Sequence, residues 1–127
     1  MKFPQIFFGD HKYSVFCNDD VVVNDEIRYG APIVVGPRSF GCNSGYEVRT
    51  ATVVDDYYDY ERYEQHVFVL EYEDGSREPV PARFVYNCWP YRTEWVHEYA
   101  REIMQDEKHR RGTAARRRKR RRTYPYY

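Results

Sequence analysis

The chain has a single leucine, Leu70, against fourteen valines, fourteen tyrosines and seven phenylalanines. Leucine is normally among the commonest residues. Branched and aromatic side chains pack well on a pleated surface, and their χ1 stiffness works against helix. A chain with this apolar repertoire is expected to build a mainly β fold. Its 127 residues suffice for one domain.

Local patterns place the expected strands. Short strands are predicted near Ile6–Phe8 and Tyr13–Cys17, with a turn at Asn18–Asp20. A brief apolar run follows at Val21–Val23, and another at Pro32–Val35 is stopped by Gly36-Pro37. The glycines, proline and short polar residues of Gly36–Gly45 predict a loop. From Tyr46 to Asp55 the sequence alternates, with Val48, Thr50, Thr52 and Val54 on one face and Arg49, Ala51 and Val53 on the other. Asp56–Gln65 is acidic and rich in tyrosine, and reads as a loop of ten residues. His66–Glu73 and Arg77–Tyr86 flank Asp74-Gly75, a strong hairpin signal. Pro79 and Pro81 restrict the second of these strands to an edge or an irregular path. Asn87–Tyr91 is a break.

A helix is then expected, capped by Thr93, with Glu94 and Glu98 near the positive end of its dipole. Trp95, Tyr99 and Ile103, flanked by Val96, Ala100 and Met104, form an apolar stripe that should pack on the β domain. Gly112 should end this helix. The expected organisation is an acidic β domain at 1–91, a helix at 92–111 and a basic tail at 112–127. The tail holds no apolar side chain large enough to bury a face, so alone it should be disordered or transiently helical.

Net charge is zero, but the charges are segregated. Residues 1–107 hold all twenty acids and ten bases, and residues 108–127 hold ten bases and no acid. A basic arm on an acidic body points to a polyanionic partner. Arg116, Arg117, Arg118, Lys119, Arg120, Arg121 and Arg122 are seven consecutive cations, preceded by Lys108, Arg110 and Arg111. Guanidinium groups bind phosphate oxygens bidentately, and neutralising them on a polyphosphate releases counterions. Tyr124, Tyr126 and Tyr127 can stack on exposed bases, which favours RNA over DNA. No device for reading sequence is visible.

The chain offers little to catalysis. Gly36–Gly41 has the glycine spacing of a phosphate-binding loop, but Cys42 and Asn43 stand where Lys and Ser/Thr are needed. His97-Glu98 opens a zinc-protease pattern that fails at Arg101. Cys17, Cys42 and Cys88 form no C-x-x-C pair and no disulfide framework. Asp55, Asp56 and Asp59 fit no calcium-loop spacing. No cofactor, metal or small-molecule substrate is expected, and the chain reads as a non-enzyme. The N-terminal apolar run is too short and too charged at its end for a signal peptide, and no stretch is long enough for a membrane span. The expected location is intracellular, nuclear in a eukaryotic cell, or within a virus particle.

Tyr46–Val54 (YEVRTATVV) and Val67–Val80 (VFVLEYEDGSREPV) resemble two strands of the Tudor/agenet and KOW group of SH3-like barrels, within residues 46–86. The resemblance implies a small SH3-like barrel that binds a peptide or nucleic acid and performs no chemistry. It also implies that Tyr72 and the tyrosines of the 56–63 segment can furnish an aromatic cage for a cationic side chain. Three readings of function follow. In the first, the protein is a nucleic-acid-binding structural component of a ribonucleoprotein or virus particle, held by its tail while the body meets a protein partner. In the second, the acidic tyrosine surface of Tyr57, Tyr58, Tyr60, Tyr63 and Tyr72 makes it a protein-binding adaptor or viral inhibitor. In the third, the acidic body and basic tail satisfy one another, within a chain or between chains.

Overall fold

The computed structural model describes residues 9–34, 43–62 and 64–123. The expected strand at Ile6–Phe8, most of the expected loop after Val34, and Tyr63, Tyr124, Tyr126 and Tyr127 lie outside the described residues. The fold is mainly β. Six strands, β1 (Val15–Phe16), β2 (Glu26–Val34), β3 (Asn43–Asp59), β4 (Gln65–Glu71), β5 (Arg77–Pro81) and β6 (Tyr91–Arg92), form one antiparallel sheet in the order β1-β6-β2-β3-β4-β5. A short helix, α1 (Ala82–Tyr86), joins β5 to β6, and a long helix, α2 (Glu98–Thr123), closes the described chain.

Alternation decides which face of the sheet is buried. Ile27, Tyr29 and Ala31 of β2 and Ala51 and Val53 of β3 point into the core with Phe68, Leu70 and Val80. The Ala51/Val53 face is thus the inner one, and Val48 on the opposite face is exposed. A bulge between Val53 and Asp55 breaks the register. Such a bulge bends a long strand, and β3 passes through it to pair with both β2 and β4. α1 covers one end of the core with Ala82 and Val85.

The Asp74-Gly75 hairpin forms as expected. Gly75 has φ +85°, Asp74 Oδ1 accepts from the Ser76 amide at 2.9 Å, and Glu71 pairs with Arg77. Pro79 and Pro81 sit on β5, which is an edge strand.

The sheet is open: among the described residues no ladder joins its edge strands β1 and β5. The structure corrects three expectations. First, Asp56–Gln65 is not a loop. β3 continues to Asp59, and Asp55 to Asp59 pair with Val69 to Gln65. The cross-strand partners Val67, Phe68 and Val69 bring apolar side chains to both faces beside the acidic segment. Second, the strand from Arg77 ends at Pro81, and residues 82–86 turn into α1.

The third correction concerns the C-terminal helix. The Thr93 amide donates to Glu26 O at 3.1 Å, extending the β6–β2 ladder, and α2 starts only at Glu98, so Thr93 is not its cap. α2 then passes through Gly112 and continues to Thr123. Arginine and lysine are good helix formers, and one interior glycine costs only about 1 kcal/mol. Of the expected apolar stripe, Val96, Tyr99 and Ile103 face solvent, 94%, 66% and 61% exposed, while Trp95, Ala100 and Met104 are half-buried, and Trp95 and Val96 precede the helix. The buried positions are instead Arg101, Lys108 and Ala115, seven residues apart and therefore on one side of the helix.

Candidate functional site: the basic helix and the tyrosine cleft

The inward face of α2 is cationic because the body offers it carboxylates. Asp25 is fully buried in the turn before β2, where its Oδ2 accepts from the Val22 amide at 2.9 Å. Its backbone is tied to β3: Val53 N donates to Asp25 O at 2.9 Å. Arg101 Nε and Nη2 reach Asp25 Oδ1 and Oδ2 at 2.9 and 2.8 Å, a bidentate pair. Trp95 Nε1 adds a fourth donor to Asp25, at 2.7 Å from Oδ1. Arg101 also donates to Asp20 Oδ2 at 3.0 Å and to Asp20 O. Burial alone would lower the pKa of Arg101, but hydrogen bonds and charge from Asp25 and Asp20 outweigh it and raise it.

The next turns of α2 continue the docking. Gln105 donates to Asp20. Lys108 is buried, its Nζ 2.8 Å from Val21 O and 3.2 Å from the Tyr86 hydroxyl. Burial pushes its pKa below the usual lysine value, against the opposing pull of Asp20 and Asp56. Arg111 meets Asp56 at 2.8 Å, and His66 Nε2 lies 2.7 Å from the other oxygen of that carboxylate. Burial raises the pKa of Asp56, but the hydrogen bonds from His66 and Arg111 prevail and lower it. At the start of the helix, Glu98 accepts two hydrogen bonds from buried Arg92, at 2.9 and 3.1 Å, and one from the Trp95 amide at 2.7 Å. These bonds hold its carboxyl at about 2.

The expected nucleic-acid residues therefore divide. Lys108 and Arg111 are engaged with the body. Arg110, Arg116 and Arg117 are exposed. The backbone of Lys119, Arg120, Arg121 and Arg122 continues the helix. Arg118 forms the last described contact with the body, its guanidinium 4.3 Å from the centroid of the Tyr60 ring.

The expected protein-binding tyrosines divide as well. Tyr57, Tyr58, Asp59, Tyr60, Glu61 and Arg118 line a cleft of about 570 Å³ at the tip of the β3–β4 hairpin. The tip is well tied. Asp59 Oδ1 accepts from the amides of Glu61 and Arg62 at 3.0 and 2.8 Å, and the Tyr58 hydroxyl donates to Glu64 O at 2.5 Å. The Tyr58 and Tyr60 rings pack at a tilt of 54°, with centroids 4.7 Å apart. Tyr72 is elsewhere: its hydroxyl bonds Glu78 at 2.7 Å and Tyr29 at 3.2 Å, beside a separate groove with Pro79, Pro81 and Phe84.

Sequence reasoning missed Asp20, Asp25 and Arg101, the residues that seat the helix. The available signal was the seven-residue recurrence of Arg101, Lys108 and Ala115. It identifies a helix face but does not say that carboxylates await it.

Burial pushes the thiols of Cys17 and Cys88 up to about 12 and about 11, away from thiolate chemistry. Among the described residues no group of three or more His, Cys, Asp or Glu side chains could hold a metal ion, and no helix is long and apolar enough to cross a membrane. No protein-family model matches the chain, and neither a curated protein nor a solved structure matches it.

Proposed function

We propose that this protein is a non-enzymatic nucleic-acid-binding component of a ribonucleoprotein or virus particle, anchored to phosphate backbones by the C-terminal half of α2. The observation that carries the reading is the division of charge along one continuous helix. The body's carboxylates engage α2 up to Arg111, and the run from Arg116 to Arg122 follows on helical backbone with Arg116 and Arg117 exposed. Cations fixed on a helix lose less conformational freedom on binding than cations on a coil. RNA is favoured over DNA because Tyr124, Tyr126 and Tyr127, which follow the run in sequence, can stack on unpaired bases.

An SH3-like barrel remains the proposed finer fold. It is supported by the β2–β5 meander and by the return of β6, after the short α1, to pair with β2. Inside a cell or a particle, nuclear in a eukaryote, is the proposed setting.

The test replaces Arg116, Arg117, Arg120 and Arg121 with Gln in the full chain. Binding of labelled single-stranded RNA and duplex DNA is then followed across a salt series. Each phosphate contact contributes about 0.7–0.9 to the log–log salt slope, so the intact chain should show a slope of several units and the variant should lose about three. If the intact chain binds neither polymer at moderate salt, the reading fails. The second reading, a protein-binding adaptor, then leads, because the Tyr57–Glu61 cleft already engages a cationic side chain.

A further inference from the structure

The outward face of α2 changes character along its length. Val96, just before the helix, and Tyr99 and Ile103 stand largely in solvent. They recur at intervals of three and four residues, the spacing of a seam between paired helices. The same alternation continues through Asp106, Arg110, Thr113 and Arg117, all exposed. Glu102 and Asp106 make the first half of this face acidic, and Arg110, Arg116 and Arg117 make the second half basic. The nearby ion pairs of Arg111 with Asp56 and Glu107 lie to one side and leave these five charges unpaired among the described residues. Beside Val96 the face opens on a groove of about 350 Å³ whose lining includes Glu26, Glu94, Trp95 and Ala100, so the acidic and apolar character extends past the start of the helix.

A face that runs from acidic to basic is complementary to itself when reversed. Two copies of α2 set antiparallel about a two-fold axis place an acidic half against a basic half at two equivalent positions. Parallel pairing would instead bring the two basic runs together. We propose that the outward face of α2 is a homodimer interface, an antiparallel helix pair in which the acidic half of each copy meets the basic half of the other. A seam with Asp106 opposite Arg110 of the second copy also sets Tyr99 opposite its Arg117, a guanidinium suited to an aromatic face. Three apolar side chains are few beside the roughly 800 Å² that each partner of a standard interface buries. The charges therefore carry much of the association, which is weak and falls as salt screens them. The inference does not rest on the nucleic-acid reading, and its test is made without nucleic acid.

Sedimentation velocity of the full chain at low ionic strength, across micromolar to sub-millimolar protein, reads the monomer–dimer equilibrium. Asp106→Arg and Arg110→Asp each set like charges opposite one another at both symmetry-related places in the homodimer. Each should weaken the dimer about ten-fold. Mixed in equal amounts, the two variants are complementary at both places, and the mixture should dimerise with nearly the parent affinity. Glu73→Arg makes the same charge change on the β4–β5 hairpin and should not rescue Arg110→Asp. Ile103→Gln tests the apolar part of the seam and should also weaken the dimer. A parent chain that stays monomeric, helix variants that dimerise as the parent does, or a mixture of Asp106→Arg and Arg110→Asp no more associated than its components would overturn the inference. So would an equal rescue by Glu73→Arg, which would reduce the attraction to net charge. All the substituted side chains are exposed, and circular dichroism of each variant confirms that it is folded.

Discussion

Asp25→Asn should be a strongly destabilising exchange. The carboxylate is fully buried and receives four donors: the Val22 amide, the Trp95 indole, and Nε and Nη2 of Arg101. Arg101 is itself only 2% exposed. Removing one partner of a buried ion pair costs about 3–5 kcal/mol, and since Arg101 keeps its contact with the Asp20 carboxylate the loss should fall at the lower end of that range. Domains of this size are stable by about 5–15 kcal/mol, so the loss is a large fraction of the total. Urea unfolding should register it as a lower midpoint. Hydrogen exchange should rise selectively along α2, because that helix has few buried apolar side chains to retain it. Arg101→Met removes the guanidinium and leaves Asp25 its other two donors. The double variant Asp25→Asn/Arg101→Met should then be less destabilised than the sum of the single variants by about 1–3 kcal/mol, the coupling expected of a contacting pair. A loss below about 1 kcal/mol for Asp25→Asn, or strict additivity in the cycle, would refute the view that this pair seats the helix.

Two further outcomes follow from the geometry. Gly112 lies inside α2, and a Cβ built there would meet only an Arg116 side-chain nitrogen at 3.5 Å. Gly112→Ala should therefore raise stability by about 0.5–1 kcal/mol in chemical denaturation, whereas a glycine that ended the helix would make the change unfavourable. Glu98 has a folded pKa near 2, held down by Arg92 and the Trp95 amide, against about 4.3 in an unfolded chain. Between these values the unfolded state binds more protons, so stability rises with pH. The Glu98 contribution is complete above about pH 4.3 and is lost as pH falls toward 2. Glu98→Gln should flatten the acid limb of a stability–pH curve in that window, and an unchanged limb would remove Glu98 from the account.

Some features were legible in the sequence because they depend on neighbours a few residues apart. The scarcity of leucine and the abundance of valine and tyrosine indicated strands. Asp74-Gly75 indicated its hairpin, since both residues tolerate the backbone the turn requires. Pro79 and Pro81 indicated an edge, having no amide hydrogen to give. The alternation from Tyr46 to Asp55 separated the two faces of β3 without saying which was inner, and the segregation of charge marked the C-terminal segment as the cationic one.

Tertiary structure decided the rest, and in each case through a partner distant in sequence. The acidic segment 55–59 is a strand because Val67, Phe68 and Val69 lie opposite it. Thr93 extends the sheet, its amide donating to Glu26 O, and the helix begins farther on at Glu98. The helix shows Tyr99 and Ile103 to solvent and buries Arg101 and Lys108. The hydrophobic gain available to two half-exposed side chains is small beside the cost of leaving Asp25 buried without its guanidinium. That pair spans 76 residues. A hydrophobic period shows which residues of a helix share a face, and only the positions of the opposing carboxylates decide which face turns inward.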